Sequence, residues 1–248
     1  LMAAARLDIP TVVISGGPML AGRFRGEHID LIDTFEAVGQ VATGQMAEDE
    51  LHAMEMEACP TCGSCAGMFT ANSMNCLTEA LGLSLPGSGT CPAVHSERLR
   101  LAKEAGMAVM HALEADLRPS QLLTPAAFRN AFAVDMALGG STNSVLHVLA
   151  VAQEAGVRFP LAQLNELSAR VPHLCKMSPA AGGHHIEDLH HAGGISAVMA
   201  ELAQLGLLDL EQRTVAGCGT LGQSIAGAQV RDAAVIRPVR RAGRSRLV

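Results

Sequence analysis

The sequence predicts an α/β layer fold, with a layered, mostly parallel sheet flanked by helices. Two observations carry that expectation. Helical signatures recur along the whole chain, and between them lie short β-branched runs of the kind that buried parallel strands use. In addition, no internal repeat and no low-complexity linker divides the chain.

The opening residues 1–7 read as a helix running into a strand. That strand is Thr11-Val12-Val13-Ile14-Ser15, closed by the turn Gly16-Gly17-Pro18. Residues 30–39 and 48–58 read as helices with charged outer faces. Residues 72–81 place Leu77, Ala80 and Leu81 at helical spacing, with Gly82 suited to the C-terminal cap. Leu85-Pro86-Gly87-Ser88-Gly89 is a loop, and 96–116 is the next helix. Thr124-Pro125 starts another, with Thr as N-cap and Pro at the first helical position. Phe128, Phe132 and Met136 mark its apolar face. Gly139 to Asn143 precede a helix through Val145, Leu146, Leu149 and Ala152 that Gly156 stops. Residues 161–170 and 194–205 complete the set.

The bulk properties bound the function. The 248 residues are 49% apolar, enough for one substantial core or two modest ones. A net charge of -6 argues against a nucleic-acid surface. With no Trp and no Tyr, stacking platforms for bases or sugars are not expected. No apolar run approaches a membrane span. Seven Cys without a secretory leader read as a reduced, cytoplasmic protein whose thiols are unpaired.

Chemistry concentrates in Cys59-Pro60-Thr61-Cys62-Gly63-Ser64-Cys65. Thiolates are soft ligands that select zinc or iron–sulfur clusters. A helix beginning just after this run would lower the Cys65 pKa. The residues alone leave four readings open. A ferredoxin-like set would continue with a fourth Cys followed by Pro, which is absent here. A zinc site would want a second ligand pair, a redox Cys-x-x-Cys is available in either pair, and small buried thiols beside a Gly turn are the bland reading.

A second candidate is Gly139-Gly140-Ser141-Thr142-Asn143. Free backbone N–H groups at such a helix start make a seat for a carboxylate or phosphate, although simple N-capping accounts for the same residues. The tract from His184 to His191 lacks the His-Glu-x-x-His order of zinc hydrolases and reads as a capped helix start with solvated histidines. His147 reads as a core histidine.

Residues 59–76, CPTCGSCAGMFTANSMNC, resemble the dihydroxy-acid dehydratases and the wider family that includes 6-phosphogluconate and sugar-acid dehydratases. VISGGPMLAG (13–22), DMALGGSTNSVLHVLAVAQEAGV (135–157) and EDLHHAGGISAVMAEL (187–202) are similar to that family in the same order. The resemblance covers about residues 1–238. It implies the N-terminal cluster-binding α/β portion of the family. It also implies an iron–sulfur cluster, of two-iron or four-iron type, held by three Cys from separate segments. The third of these matches Cys65, which precedes Gly67-Met68-Phe69-Thr70-Ala71-Asn72. Cys59 and Cys62 belong to a subgroup variant and are not expected to be ligands. The other two cluster Cys, the Mg ligands and a catalytic Ser belong to family segments that match nothing in this chain, so no catalytic residue is assigned.

The resemblance further implies a hydro-lyase that converts 2,3-dihydroxy-3-methyl carboxylic acids to 2-keto acids, on the route to valine and isoleucine. It implies a small-molecule partner and a homodimer at full length. The alternatives are a sugar-acid dehydratase and a non-catalytic metal-binding piece. Residues 239–248, rich in Arg, depart from the family pattern and read as a frameshifted or non-family tail. The chain is therefore expected to be an incomplete piece, inactive alone, with apolar surface left uncovered.

Overall fold

The computed structural model describes residues 1–180 and 183–239. Helices dominate. They are α1 (Met2–Leu7), α2 (Leu31–Ala42), α3 (Glu48–Ala58), α4 (Thr70–Ala80), α5 (Ser96–Glu114), α6 (Pro119–Leu122), α7 (Pro125–Leu138), α8 (Thr142–Glu154), α9 (Ala162–Ser168), α10 (Ile186–His191), α11 (Gly194–Gln204) and α12 (Leu221–Ser224). An antiparallel hairpin, β1 (Gly22–Phe24) and β2 (Glu27–Ile29), precedes α2.

The expected mostly parallel sheet is not formed among the described residues, where the hairpin is the sole ladder. The extended segment through Val13 does keep parallel neighbours, Ser84 on one side and, further along, Ser64 opposite Pro18, but each pairing is a single bridge. The reason is local. Pro10 and Pro18 bracket the segment and donate no N–H to a ladder, Gly17 turns the chain at φ +93°, and the flanking partners are loops. Tertiary hydrogen bonds replace the ladder: Val13 N–H donates to the Leu83 carbonyl at 2.8 Å, and the Ser84 hydroxyl donates to the Val13 carbonyl at 2.8 Å.

The helices expected from capping and periodicity form close to their expected bounds. Thr124 caps α7 through the Ala127 N–H, and Pro125 occupies its first turn. Helix α7 is the centre of the main core. Phe128, Phe132, Ala131, Val134 and Leu138 are fully buried, and the Phe132 ring lies 4.9 Å from that of Phe159. Helices α4, α8 and α11 pack around it. A smaller cluster of Ile29, Ala37, Met54 and Ala58 joins the hairpin to α2 and α3. Some apolar surface stays exposed, notably Leu99, Met107, Met110 and Leu113 on α5. Among the described residues no helix is long and apolar enough to cross a membrane. Apart from Val239, the tail expected at 239–248 lies outside the described residues.

Candidate active-site region around Cys65

Cys65 sits in the loop between α3 and α4, half-buried, while Cys59 and Cys62 are exposed. Three sets of contacts pin the loop. Ser64 N–H donates to the Gly17 carbonyl at 3.0 Å, and Met19 N–H donates to the Ser64 carbonyl at 2.7 Å. The Asn72 amide, buried on the first turn of α4, donates to the carbonyls of Cys65 and Gly67, and its oxygen accepts from the Ser64 hydroxyl at 2.6 Å. Ile186 N–H donates to the Ala66 carbonyl at 2.8 Å, which ties the loop to α10. Three chain segments thus hold the backbone around Cys65, the preorganisation that a metal ligand needs.

The expected depression of the Cys65 pKa is not found. Helix α4 begins at Thr70, five residues on, so its dipole does not act directly on the sulfur. Burial pushes the thiol up, and the neighbouring Cys59 and Asp30 add to the rise. A bound cation would offset this rise by stabilising the thiolate. A single soft donor on a rigid loop fits one corner of an iron–sulfur cluster. Among the described residues no group of three ligating side chains gathers at Cys65.

Beneath the loop lies a buried polar group that local patterns do not reveal. The Asp30 carboxylate caps α2 through the Ile32 N–H at 2.8 Å, accepts from the Ser178 hydroxyl, and lies 3.4 Å from Nε2 of His185. Burial works against ionisation of Asp30. The bonds from His185, Ser178 and Ile32 outweigh it, so the pKa is lowered from its ordinary value. With its oxygens so occupied, Asp30 is poorly placed to offer a Mg ligand. The tract 184–191 does start a helix, but His185 is buried rather than solvated. His147, expected in the core, is instead exposed and lines an open groove with Thr70 and Met74.

The N-termini of α4 and α8 converge next to the Cys loop. The Thr70 hydroxyl meets the Ser141 hydroxyl at 2.9 Å and accepts from the Asn143 amide at 3.0 Å. Ser141 caps α8 through the Asn143 N–H at 3.3 Å, and its own N–H donates to Ser73 at 2.9 Å. Capping therefore accounts for Ser141, while Thr142 and Asn143 remain exposed. The two preceding glycines have tertiary causes. Gly139 ends α7 in the left-handed region, and a Cβ on Gly140 would fall 2.0 Å from Asp135 Oδ1. Asp135 in turn accepts from the Ser144 hydroxyl.

A buried carboxyl near the end of α4 holds a second loop, at residues 87–89. Glu79 accepts from Gly87 N–H at 3.0 Å and Gly89 N–H at 2.7 Å, and burial pushes its pKa up to about 7. The folded chain thus holds a proton that the unfolded chain releases between 4.5 and about 7. Stability from this group is greatest at the acid end and falls as pH rises, by roughly 3 kcal/mol across the window. Glu79→Gln deprives one glycine N–H of its acceptor and is expected to cost about 1–3 kcal/mol near neutral pH. The gap between wild type and variant should widen as pH drops toward 4.5. Urea midpoints measured along that pH range check this, and a constant gap would sink it.

Comparison with known proteins fits this geometry. The family described as dihydroxy-acid/6-phosphogluconate dehydratase, N-terminal, matches residues 1–224. A dihydroxy-acid dehydratase of Caldanaerobacter subterraneus is 62% identical over 239 residues, covering 96% of this chain and 43% of the relative. One of Desulfatibacillum aliphaticivorans is 61% identical over 243 residues, and one of Acetivibrio thermocellus 56% over 239, with the same coverage of both chains. The chain thus spans under half the length of the curated relatives it matches. By the match across residues 1–224, this chain belongs to the dihydroxy-acid/6-phosphogluconate dehydratase family, in its N-terminal part.

Proposed function

We propose that this chain is the N-terminal portion of a hydro-lyase that dehydrates 2,3-dihydroxy-3-methyl carboxylic acids to 2-keto acids in valine and isoleucine biosynthesis. The observation that carries the reading is the identity of 56–62% to dihydroxy-acid dehydratases along nearly the whole chain. In this proposal residues 1–238 form one cluster-binding unit, completed by the layered sheet of the longer protein, and residues 239–248 are foreign to it. Cys65 holds one corner of an iron–sulfur cluster, whose open iron would supply Lewis acidity toward the departing hydroxyl. Further family segments hold the Mg ion. Ser141, Thr142 and Asn143 bind the substrate carboxylate, aided by two helix N-termini that favour negative charge. The buried Asp30–His185–Ser178 group holds the loop carrying Cys65 at a fixed height. The longer protein acts in the cytoplasm as a homodimer, to which the exposed apolar residues of α5 would contribute surface.

A chimera tests this. The corresponding part of the Caldanaerobacter enzyme is replaced by residues 1–238, loaded with iron and sulfide without oxygen, and assayed for 2-keto acid. Turnover of 2,3-dihydroxy-3-methylbutanoate with little turnover of aldonates is the expected result. A preference for aldonates or 6-phosphogluconate would move the assignment to the sugar-acid branch.

A further inference from the structure

We infer that Cys91, His95 and His190 form a second metal site, for one divalent transition cation of the zinc type, separate from Cys65. The three residues come from different places in the chain. Cys91 ends the loop that Glu79 and Arg98 clamp, His95 is the N-cap of α5, and His190 lies in the last turn of α10. Their ligating atoms nevertheless all lie within 4.8 Å of one another. A tetrahedral zinc with bonds of about 2.0–2.3 Å brings donor atoms to roughly 3.5 Å apart, so a rotation of about 1 Å in the two imidazoles closes the site.

The donor set suits that ion. One thiolate with two imidazoles is a soft-to-borderline combination that favours zinc-type cations over Mg or Ca. The surroundings also suit it. Nδ1 of His190 meets the Thr90 hydroxyl at 3.1 Å and Nε2 lies 3.3 Å from the Glu97 carboxylate, so one of these contacts gives way when the ring ligates and the other remains to orient it. His95 and His191 each lie 3.8 Å from Glu187. Hydroxyl and carboxylate partners of this kind orient ligating imidazoles and set their tautomers. Three imidazoles, those of His95, His190 and His191, gather here with centroids 5.7–6.2 Å apart. On binding, Cys91 gives its thiol proton to solvent and the sulfur lone pair to the cation, while Glu97 and Glu187 offset the remaining charge.

The site has an entrance. His95, Glu97, His190 and His191 line a cavity of about 690 Å³ that also carries the buried hydroxyl of Ser196, unpartnered among the described residues. Three protein donors leave a fourth position for water on that side. Bound metal would staple the start of α5 to α10, whose first residue, Ile186, hydrogen-bonds the Cys65 loop, and so stiffen the active region from behind.

Cobalt(II) spectroscopy tests this on the whole chain, made without a histidine tag and with Cys59, Cys62 and Cys65 all changed to Ser. That background silences the Cys65 loop, so the outcome is independent of the cluster assignment. The expected result is one cobalt per chain, tetrahedral d–d bands, a sulfur-to-cobalt charge-transfer band, and displacement of both by zinc. Adding Cys91→Ser should abolish the charge-transfer band. Adding His95→Gln, at a partly exposed position outside the core, should weaken binding at least about a hundredfold, beyond what loss of an outer partner does. Circular dichroism identifies any variant that has unfolded, in which case the other variant decides. No stoichiometric cobalt in the background protein, or binding undiminished in the folded variants, would overturn the site.

Discussion

Cys65→Ser, placed in a chimeric dehydratase that carries this segment, is expected to reduce iron content to less than about a tenth and to abolish turnover, because a hydroxyl is a hard, weakly acidic donor where the cluster needs a soft thiolate. Cys59→Ser and Cys62→Ser are expected to retain most of the iron and most of the activity. The difference follows from placement. Cys59 and Cys62 are exposed on the loop, whereas Cys65 is half-buried and its backbone is held by Asn72, Gly17 and α10. Iron analysis and the visible spectrum of the anaerobically loaded protein check the three variants side by side. Equal losses in all three would mean that the loop binds as a Cys cluster rather than through one ligand.

Gly63→Ala tests the seat of that ligand without touching a thiol. Gly63 has φ +130°, and a Cβ there would lie 2.5 Å from Met19 N, 2.6 Å from the Pro18 carbonyl carbon and 2.8 Å from Gly17 O. All three are backbone atoms of the segment that hydrogen-bonds Ser64, so no side chain can move aside. The expected cost is about 3–5 kcal/mol, from conformational strain of about 1–3 kcal/mol and two backbone bonds of about 1 kcal/mol each. Gly26→Ala is the control. Gly26 also has a positive φ, at +91°, but faces open space, so it reports the conformational part alone. Denaturant midpoints of the two variants give the difference, and iron uptake by Gly63→Ala should fall with it. If Gly63→Ala cost no more than Gly26→Ala, the backbone contact would have no role in holding the loop.

Much of the helical framework was legible in the sequence because its signals are local. The Thr124-Pro125 start, the Gly82 and Gly156 stops and the Phe128–Phe132 face each depend on residues within a turn or two of one another. The Cys65 motif was readable for a different reason, since the three thiols by themselves left four readings open and only the family resemblance of the surrounding blocks singled out Cys65. The hairpin at Gly22–Ile29 was not legible, because Arg25-Gly26 takes positive φ at both turn positions without the Asn-Gly signature. The β-branched run at 11–15 suggested a sheet. Whether a run becomes a strand depends on what lies beside it, and here its neighbours are loops that meet it one residue at a time.

The sequence by itself thus determined most of the helices and the family and singled out Cys65 as the candidate ligand, all of which rest on short-range physics or on motifs read in order. Tertiary structure alone decided the environment of that chemistry. It brought Asp30 against Ser178 across 148 residues, with His185 beside them, joined Thr70 to Ser141 across 71, raised Cys65 and Glu79 by burial, and gathered the ligating atoms of Cys91, His95 and His190 within 4.8 Å of one another. Burial, desolvation and long-range contact are properties of the packed chain, and no local pattern encodes which distant groups will share a pocket.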